Sequence, residues 1–250
     1  KRLCSSTKHN RSASKSENMN ASARSEIFAR LRDITGEASA ERIQQERQAL
    51  GSAPVPAPPA PEICQAFLTN VLKNQGTVDC VANRTEAVTA IGHHIYSHFR
   101  SHRLVAGNDP RLAAMPWRDA GVLPRFGSLE VGEPVALTFA QLGVVETGAI
   151  VTWTGKSNPA ANTLLPEHHI VLVDTADLVS SMEHAWGRIN LELEKNGRPR
   201  GINFIAGPSS TADIEGQLVY GAHGPRKWHV ILMGDVPADA LALARAAVTV

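Results

Sequence analysis

The feature that most constrains the fold is an alternation of helical and strand patterns that follows a proline-rich segment. Helical spacing of apolar residues predicts helices near 62–74 and 85–100, whereas short apolar runs predict strands near 77–82 and 103–106. Such alternation favours a mostly parallel sheet with helices packed on its faces. We therefore expect residues 62–250 to form one α/β domain, since a chain of this length can bury a full core.

The rest of this domain is richer in strand patterns. Apolar runs broken by Gly and Pro predict further strands at 135–139, 144–146, 150–153 and 170–173. A long amphipathic pattern then predicts a helix over about 178–194. The final section predicts a strand at 202–206, a helix from Thr211 and a strand at 228–233.

The chain before residue 62 divides into three parts. Residues 1–18 are rich in Ser, Lys and Arg and poor in aliphatic residues, which predicts a disordered extension. Over residues 19–51, apolar residues recur at helical spacing on both sides of Gly36, which predicts a helical arm of two helices. Residues 52–61 hold five prolines, which favour an extended linker.

Charge and cysteine content exclude several function classes. The formal net charge is +1, and the first 18 residues hold five Lys or Arg against one acidic residue, so the remainder is weakly acidic. Such a surface should not attract nucleic acid or an anionic membrane. Cys4, Cys64 and Cys80 include no Cys-x-x-Cys pair, so we expect no iron–sulfur cluster on this chain. The sequence shows no apolar run of membrane-spanning length and no secretory signal pattern, so a cytoplasmic protein is expected.

The strongest local signal follows the predicted strand at 202–206. The sequence there reads Gly207-Pro208-Ser209-Ser210-Thr211-Ala212-Asp213-Ile214-Glu215, which is typical of a helix N-terminus at the carboxyl end of a sheet. In one interpretation, Ser209 or Ser210 caps that helix and the acids complement its dipole. In the other, backbone N–H groups and the hydroxyls hold an anionic ligand, and Asp213 or Glu215 acts as acid or base. Spacing alone leaves both interpretations open.

Two shorter segments supply further candidates. Gly221-Ala222-His223-Gly224-Pro225 places a histidine, which titrates near neutral pH, in a tight turn that should reach the surface. In Val144-Val145-Glu146-Thr147-Gly148, an acid and a hydroxyl interrupt apolar strands, so Glu146 should be paired or should face a cleft. The alternatives are a turn histidine that bonds locally and a carboxylate exposed at a hairpin.

The remaining histidines are spaced as metal ligands could be. His94, His98 and His102 are four residues apart and could present zinc ligands on one helical face. We interpret them as a solvated helix face, and His168 and His169 in the same way, so no metal site is expected. The sequence also has no Gly-x-Gly-x-x-Gly and no Gly-x-Ser-x-Gly motif, which disfavours dinucleotide-dependent dehydrogenases and serine hydrolases.

Taken together, segments 146–148, 165–170 and 207–225 resemble the LUD-domain family, and within it the lactate utilization protein C group. The pair Gly-Pro-Ser-x-Thr-Ala-Asp-Ile-Glu and Gly-x-His-Gly-Pro is specific at this separation, whereas Glu-Thr-Gly alone is weak. The resemblance covers about residues 62–235. The family pattern usually reads Glu-Thr-Gly-Thr, and this chain has Ala149 in place of the last hydroxyl residue.

The resemblance implies a fold related to the ribose-phosphate isomerase, glucosamine-phosphate deaminase and CoA-transferase group. It also implies a non-redox subunit of the bacterial system that oxidises L-lactate to pyruvate, in which partner subunits carry the iron–sulfur cysteines. Two alternatives remain open, namely a stand-alone enzyme acting on a phosphorylated or CoA-linked substrate and a purely structural subunit of a complex.

On these hypotheses the candidate residues fall into two groups. The candidates for acid, base or nucleophile chemistry are Glu146, Asp213, Glu215 and His223. The candidates for binding a small anionic ligand, or a cofactor whose identity the sequence does not give, are Thr147, Gly148, Gly207, Ser209, Ser210, Thr211 and Gly224. We expect the segments around Glu146, Ser209 and His223 to converge on one cleft.

Overall fold

The protein is described by a computed structural model over residues 23–33, 39–51, 63–214 and 217–249. The predicted extension at 1–18 and the predicted linker at 52–61 lie outside these ranges, as does Glu215. The chain divides into two units between Pro54 and Val55. No helix in the described ranges is both long enough and apolar enough to cross a membrane.

The first unit is helical in its described part. Helix α1 spans residues 23–33 and helix α2 spans Ala40–Ala49. Ser39 caps α2, because its hydroxyl accepts a hydrogen bond from the N–H of Arg42. Large apolar side chains of both helices, Phe28 and Ile43 among them, are exposed, so the described residues of this unit enclose no core.

The second unit contains all of the strands in the described residues. Its helices are α3 (Ile63–Lys73), α4 (Arg84–Phe99), α5 (Pro110–Ala113), α6 (Ala161–Leu164), α7 (Met182–Asn196) and α8 (Ala240–Val248). Its strands are β1 (Thr77–Val81), β2 (Arg103–Ala106), β3 (Leu123–Phe126), β4 (Val135–Phe139), β5 (Leu142–Val144), β6 (Ala149–Thr154), β7 (His168–Asp174), β8 (Leu178–Val179), β9 (Gly201–Ile205), β10 (Ser210–Ile214), β11 (Gln217–Tyr220) and β12 (Lys227–Met233).

A six-stranded parallel sheet forms the centre of this unit, which confirms the predicted α/β class. The strand order is β1-β12-β7-β4-β2-β3, and every neighbouring pair is parallel. The central strands are apolar because helices cover both faces of the sheet. Helices α3 and α8 pack on one face through residues such as Phe67 and Ala244, and α4 packs on the other through Ile91 and Ile95.

A second sheet of four strands, in the order β8-β5-β6-β9, has mixed pairing. Strand β5 is parallel to β8 and antiparallel to β6, which is in turn antiparallel to β9. The sheet packs on α7 around a core that includes Val144, Val151 and Ile189. Since Ile150 pairs with Ile205, the start of β6 and the end of β9 lie at the same end of this sheet.

The helix predicted from Thr211 is wrong. Residues Ser210–Ile214 form strand β10, which pairs with β11 in an antiparallel hairpin. Thr211 lies opposite Val219 and Ser210 lies opposite Tyr220, and such β-branched and aromatic residues favour strand pairing. The helix predicted over 178–194 also begins later than expected, because a two-residue strand precedes α7.

Candidate functional site

The Glu146-Thr147-Gly148 segment lies in the turn between β5 and β6, and this turn is hydrogen-bonded to the end of helix α3. The side-chain amide of Asn70 donates to the carbonyl oxygens of Val145 at 2.8 Å and Glu146 at 3.2 Å. The amide of Asn74 donates to the carbonyl oxygen of Thr147 at 2.7 Å. These bonds satisfy backbone oxygens that a tight turn would otherwise leave without partners.

Gly148 completes this turn, and no larger residue fits there. Its φ is +66°, a conformation that favours glycine. A Cβ at this position would lie 2.6 Å from the carbonyl carbon of Asn70 and 2.7 Å from the nitrogen of Val71. The glycine is therefore required by the close approach of the turn to the α3 backbone.

The side chains of Glu146 and Thr147 make local contacts. A carboxylate oxygen of Glu146 accepts a hydrogen bond of 3.2 Å from the N–H of Met182, the first residue of α7. A carboxylate at this place complements the positive end of the helix dipole. The Thr147 hydroxyl accepts a bond of 3.2 Å from the N–H of Ala149. Glu146 is exposed, so its charge is not buried unpaired.

Gly207 follows strand β9 and lies against the same asparagine. Its φ is +113°, and a Cβ there would lie 2.5 Å from the carbonyl oxygen of Asn74. Asn74 thus contacts Thr147 with its side chain and Gly207 with its backbone. The first and second predicted segments are brought together through this residue.

Ser209 joins the second segment to the third. Its N–H donates to the carbonyl of Pro225 at 2.8 Å, and its own carbonyl accepts from the N–H of Gly221 at 2.9 Å. Its hydroxyl accepts from the N–H of His223 at 3.3 Å. A Cβ on Gly224 would lie 3.2 Å from the Ser209 Cβ, so these two segments of the chain are in close contact.

The other candidates occupy different positions. Ser210 and Thr211 begin β10, the backbone of Asp213 lies in the same strand, and Glu215 lies outside the described residues. The helix N-terminus expected here is therefore wrong, because a hairpin follows Gly207, and anion binding by these residues stays a prediction. The His223 side chain is exposed at the base of that hairpin.

Convergence on a single cleft stays a prediction. The structure joins Ser209 to the His223 segment directly, and it joins Gly207 to Thr147 through Asn74. Within residues 63–214 and 217–249, no hydrogen bond links the Glu146 side chain to Ser209 or His223. Sequence reasoning missed Asn70 and Asn74, although two asparagines four residues apart at the end of an apolar helical pattern are a readable signal.

The solvated-face interpretation of the histidines is wrong for the most buried of them. His94 is half-buried on α4 and stacks on His229 of β12 at 4.0 Å between ring centroids. His168, at the start of β7, is 4% exposed and lies edge-on to His98 at 4.8 Å. His102, in contrast, is exposed and stacks on Tyr96.

Burial also changes the protonation of these histidines. Burial and the neighbouring imidazoles lower the pKa of His94 to about 3 and that of His168 to about 4. Both side chains are therefore neutral at pH 7, the form in which imidazole binds metals. The neighbouring His229 imidazole lowers the pKa of Asp79, whose carboxylate lies 3.4 Å from His229 Nε2.

These features define an α/β protein in which two motif glycines make close backbone contact with the end of α3 and the residue that follows it. The sequence profile of the LUD domain matches residues 134–233, which include all three motif segments. Lactate utilization protein C from Bacillus subtilis is 30% identical over 193 residues, which cover 67% of this chain and 79% of that relative. The chain belongs to the LUD domain family.

One further relative and one solved structure are also similar to this chain. Lactate utilization protein C from an Exiguobacterium species is 28% identical over 152 residues, which cover 57% of this chain and 66% of that protein, just under two thirds of its length. A crystal structure of a DUF162 family protein from Deinococcus radiodurans matches with a TM-score of 0.53 and 22% identity, covering 69% of this chain and 96% of that one. At this identity the match supports the fold alone.

Proposed function

We propose that this chain takes part in lactate utilisation as a non-redox subunit that works with iron–sulfur partner subunits. The observation that carries the proposal is the 30% identity to a lactate utilization protein C across 79% of that relative. The sequence has three cysteines and no Cys-x-x-Cys pair, whereas a four-thiolate cluster needs four cysteines. Electron transfer would therefore depend on partner subunits.

The contacts of the motif residues are consistent with a subunit role. The Glu146 carboxylate faces the N-terminus of α7, Gly148 lies against the α3 backbone, and Gly207 lies against the backbone of Asn74, just after α3. The exposed Glu146 carboxylate still keeps the lone pairs that a general base or nucleophile needs, so a stand-alone enzyme stays the second candidate.

A small anionic ligand would bind at the base of the hairpin, beside His223. The Arg226 side chain packs against Gly221 in the same turn, and Lys227 is exposed next to it. Two cationic side chains within four residues of an exposed histidine favour a carboxylate or phosphate group. Ser209 supports this turn through its three bonds to residues 221–225.

The subunit role is tested with the purified full chain and with the chain co-expressed with iron–sulfur subunits from neighbouring genes. We expect lactate-dependent reduction of a dye acceptor only in the co-expressed preparation, and we expect the subunits to co-purify. Lactate-dependent dye reduction by the isolated chain would contradict the proposal.

The anion site is tested by thermal shift with lactate, pyruvate, phosphate and CoA esters. A rise in melting temperature that is lost in Arg226→Ala would support the site. Ser209→Ala is a second variant of this site. Its matched control is Ser101→Ala, since the Ser101 hydroxyl also accepts a backbone N–H, that of Arg103, at 3.2 Å. An unchanged melting temperature across the panel would favour a purely structural subunit.

A further inference from the structure

Four histidines meet on the α4 face of the parallel sheet, although they come from three distant parts of the sequence. Side chains alternate along a strand, so on β7 Ile170 and Leu172 face α4 while Val171 and Val173 face α3. By the same alternation His168 faces α4. On β12, Ile231 faces α4, and His229 therefore does so as well.

Helix α4 supplies the other two imidazoles. His94 and His98 are one helical turn apart, and their ring centroids lie 4.4 Å from each other. One nitrogen from each of His94, His98 and His168 lies within 4.8 Å of the other two. A tetrahedral metal with bonds of about 2.0–2.1 Å to nitrogen needs these atoms roughly 3.4 Å apart. Binding a metal ion would therefore require the three side chains to move closer together.

Hydrogen bonding leaves two ring nitrogens of these three histidines unsatisfied. His94 Nε2 and His168 Nδ1 are buried and have no hydrogen-bond partner. A buried polar atom without a partner costs about 1–3 kcal/mol, so such atoms call for a physical explanation. Two such nitrogens on histidines of one cluster are candidate ligands for a metal ion, because imidazole nitrogens bind transition metals.

A backbone contact determines which nitrogen of the third imidazole, that of His98, carries the proton. His98 Nδ1 lies 2.9 Å from the backbone carbonyl oxygen of His94. Because a carbonyl only accepts hydrogen bonds, Nδ1 carries the proton and Nε2 keeps its lone pair. A ring N–H held by a carbonyl is the usual support of a metal-binding histidine, since it fixes the tautomer and the ring orientation.

A surface cavity of about 510 Å³ lies beside the cluster and is lined by His94, His98, Asp79 and His229 among others. The cavity leaves space for a fourth ligand such as water. His229 is held by Thr77, whose hydroxyl lies 2.8 Å from His229 Nδ1, and Asp79 lies 3.4 Å from its other nitrogen. These groups would surround a metal-bound ligand with one carboxylate and one imidazole.

We propose that His94, His98 and His168 bind one divalent transition-metal ion of the zinc class, with the fourth coordination position facing the cavity. Imidazole nitrogens suit zinc, cobalt, nickel and copper, and three histidines with an open position are the ligand set of a zinc ion that binds water. This site is separate from the glycine motifs and does not depend on the proposed lactate role.

The test uses the full chain without a polyhistidine tag, freed of metal by a chelator and titrated with Co²⁺ and then Zn²⁺. We expect one Co²⁺ ion per chain, visible d–d absorption bands typical of a low-coordinate site, and displacement of Co²⁺ by Zn²⁺. His98→Gln should weaken binding by about 100-fold or more. His98 is exposed, so this variant should fold, which circular dichroism will check.

His102→Gln is the matched control, since His102 lies four residues beyond His98 but stacks on Tyr96 outside the cluster. It should bind Co²⁺ as the wild type does. His168→Gln provides a second loss-of-ligand variant on the sheet. Absence of the d–d bands in the wild type would overturn the proposal, and so would equal Co²⁺ affinity in the wild type and His98→Gln.

Discussion

Two polar regions on opposite faces of the parallel sheet differ in how their polar groups are satisfied. On the α3 side, Asn70 and Asn74 donate to the carbonyl oxygens of the 145–147 turn, and Gly148 lies against the same helix. On the α4 side, His94 and His168 each hold a buried ring nitrogen without a partner. The contacts in the first region hold a turn in place, whereas the second region is the one at which we propose a metal ion. The difference is that the first region pairs its polar groups and the second leaves two ring nitrogens without a partner.

The largest expected effect is on the glycine side. Gly148→Ala places a Cβ 2.6 Å from the α3 backbone at a φ of +66°, whereas Gly121 has a φ of +65° with nothing within 4 Å. The clash and the backbone strain together should lower the free energy of unfolding by about 2–5 kcal/mol in Gly148→Ala. Gly121→Ala should lose only the strain, about 1–2 kcal/mol. Urea unfolding of both variants measures the difference, and equal losses would mean that α3 moves away at little cost.

The next effect concerns the histidine side. A ligand that binds only the folded state at 100 times its dissociation constant adds about 2.7 kcal/mol to stability. Zn²⁺ in that excess should therefore stabilise the wild type, and it should stabilise Gly121→Ala by the same amount because distant sites are additive. His98→Gln, with at least 100-fold weaker binding, should gain no more than about 0.4 kcal/mol. Thermal unfolding with and without Zn²⁺ measures this stabilisation. If Zn²⁺ stabilises His98→Gln as much as the wild type, the histidine cluster is not the metal site.

A smaller effect is expected at Asn74, which holds the turn to α3. Asn74→Ala removes the donor to the Thr147 carbonyl and should cost about 1–3 kcal/mol. Asn74→Asp should cost more, since it places a carboxylate opposite a carbonyl and near the negative end of a helix. Asn196→Ala is the control, because Asn196 makes only an exposed bond to Glu192 and should change stability by less than about 0.5 kcal/mol. If the Asn74 variants unfold like this control, the turn is held by other contacts.

The sequence predicts much of the sheet because most of its strands are local apolar runs, whereas β3, which reads Leu-Pro-Arg-Phe, is not one and is not predicted. The strands at 103–106 and 135–139 are confirmed with those bounds. The helix predicted from Thr211 is wrong because Ser, Thr and Asp cap helices as readily as they begin hairpins. The segment that decides between the two structures is β11, which comes later in the chain. The outcome depends on cross-strand pairing that local propensity does not contain.

The histidine cluster shows the same limit in a different form. The spacing of His94 and His98 predicts a shared helical face, but not what that face meets. His168 and His169 are neighbours in sequence, yet the pleat sends His168 to the cluster and His169 to a buried bond with Thr138 at 2.9 Å. Only the strand order β12-β7 brings His229 to the same place.

The smallest expected effect is at Ser209. It tests whether the base of the β10–β11 hairpin binds a ligand or only holds the chain in place. Ser209→Ala removes one exposed bond, from the N–H of His223, and keeps both backbone bonds to Gly221 and Pro225. The loss of stability should be about 0.5–1.5 kcal/mol by urea unfolding. If the variant also loses its thermal shift with carboxylate or phosphate ligands, while Ser101→Ala keeps it, the hairpin base binds ligand as well as holding the chain together. If Ser209→Ala and Ser101→Ala respond to those ligands alike, the Ser209 hydroxyl only holds the hairpin in place, as Asn74 and Gly148 hold the 145–148 turn.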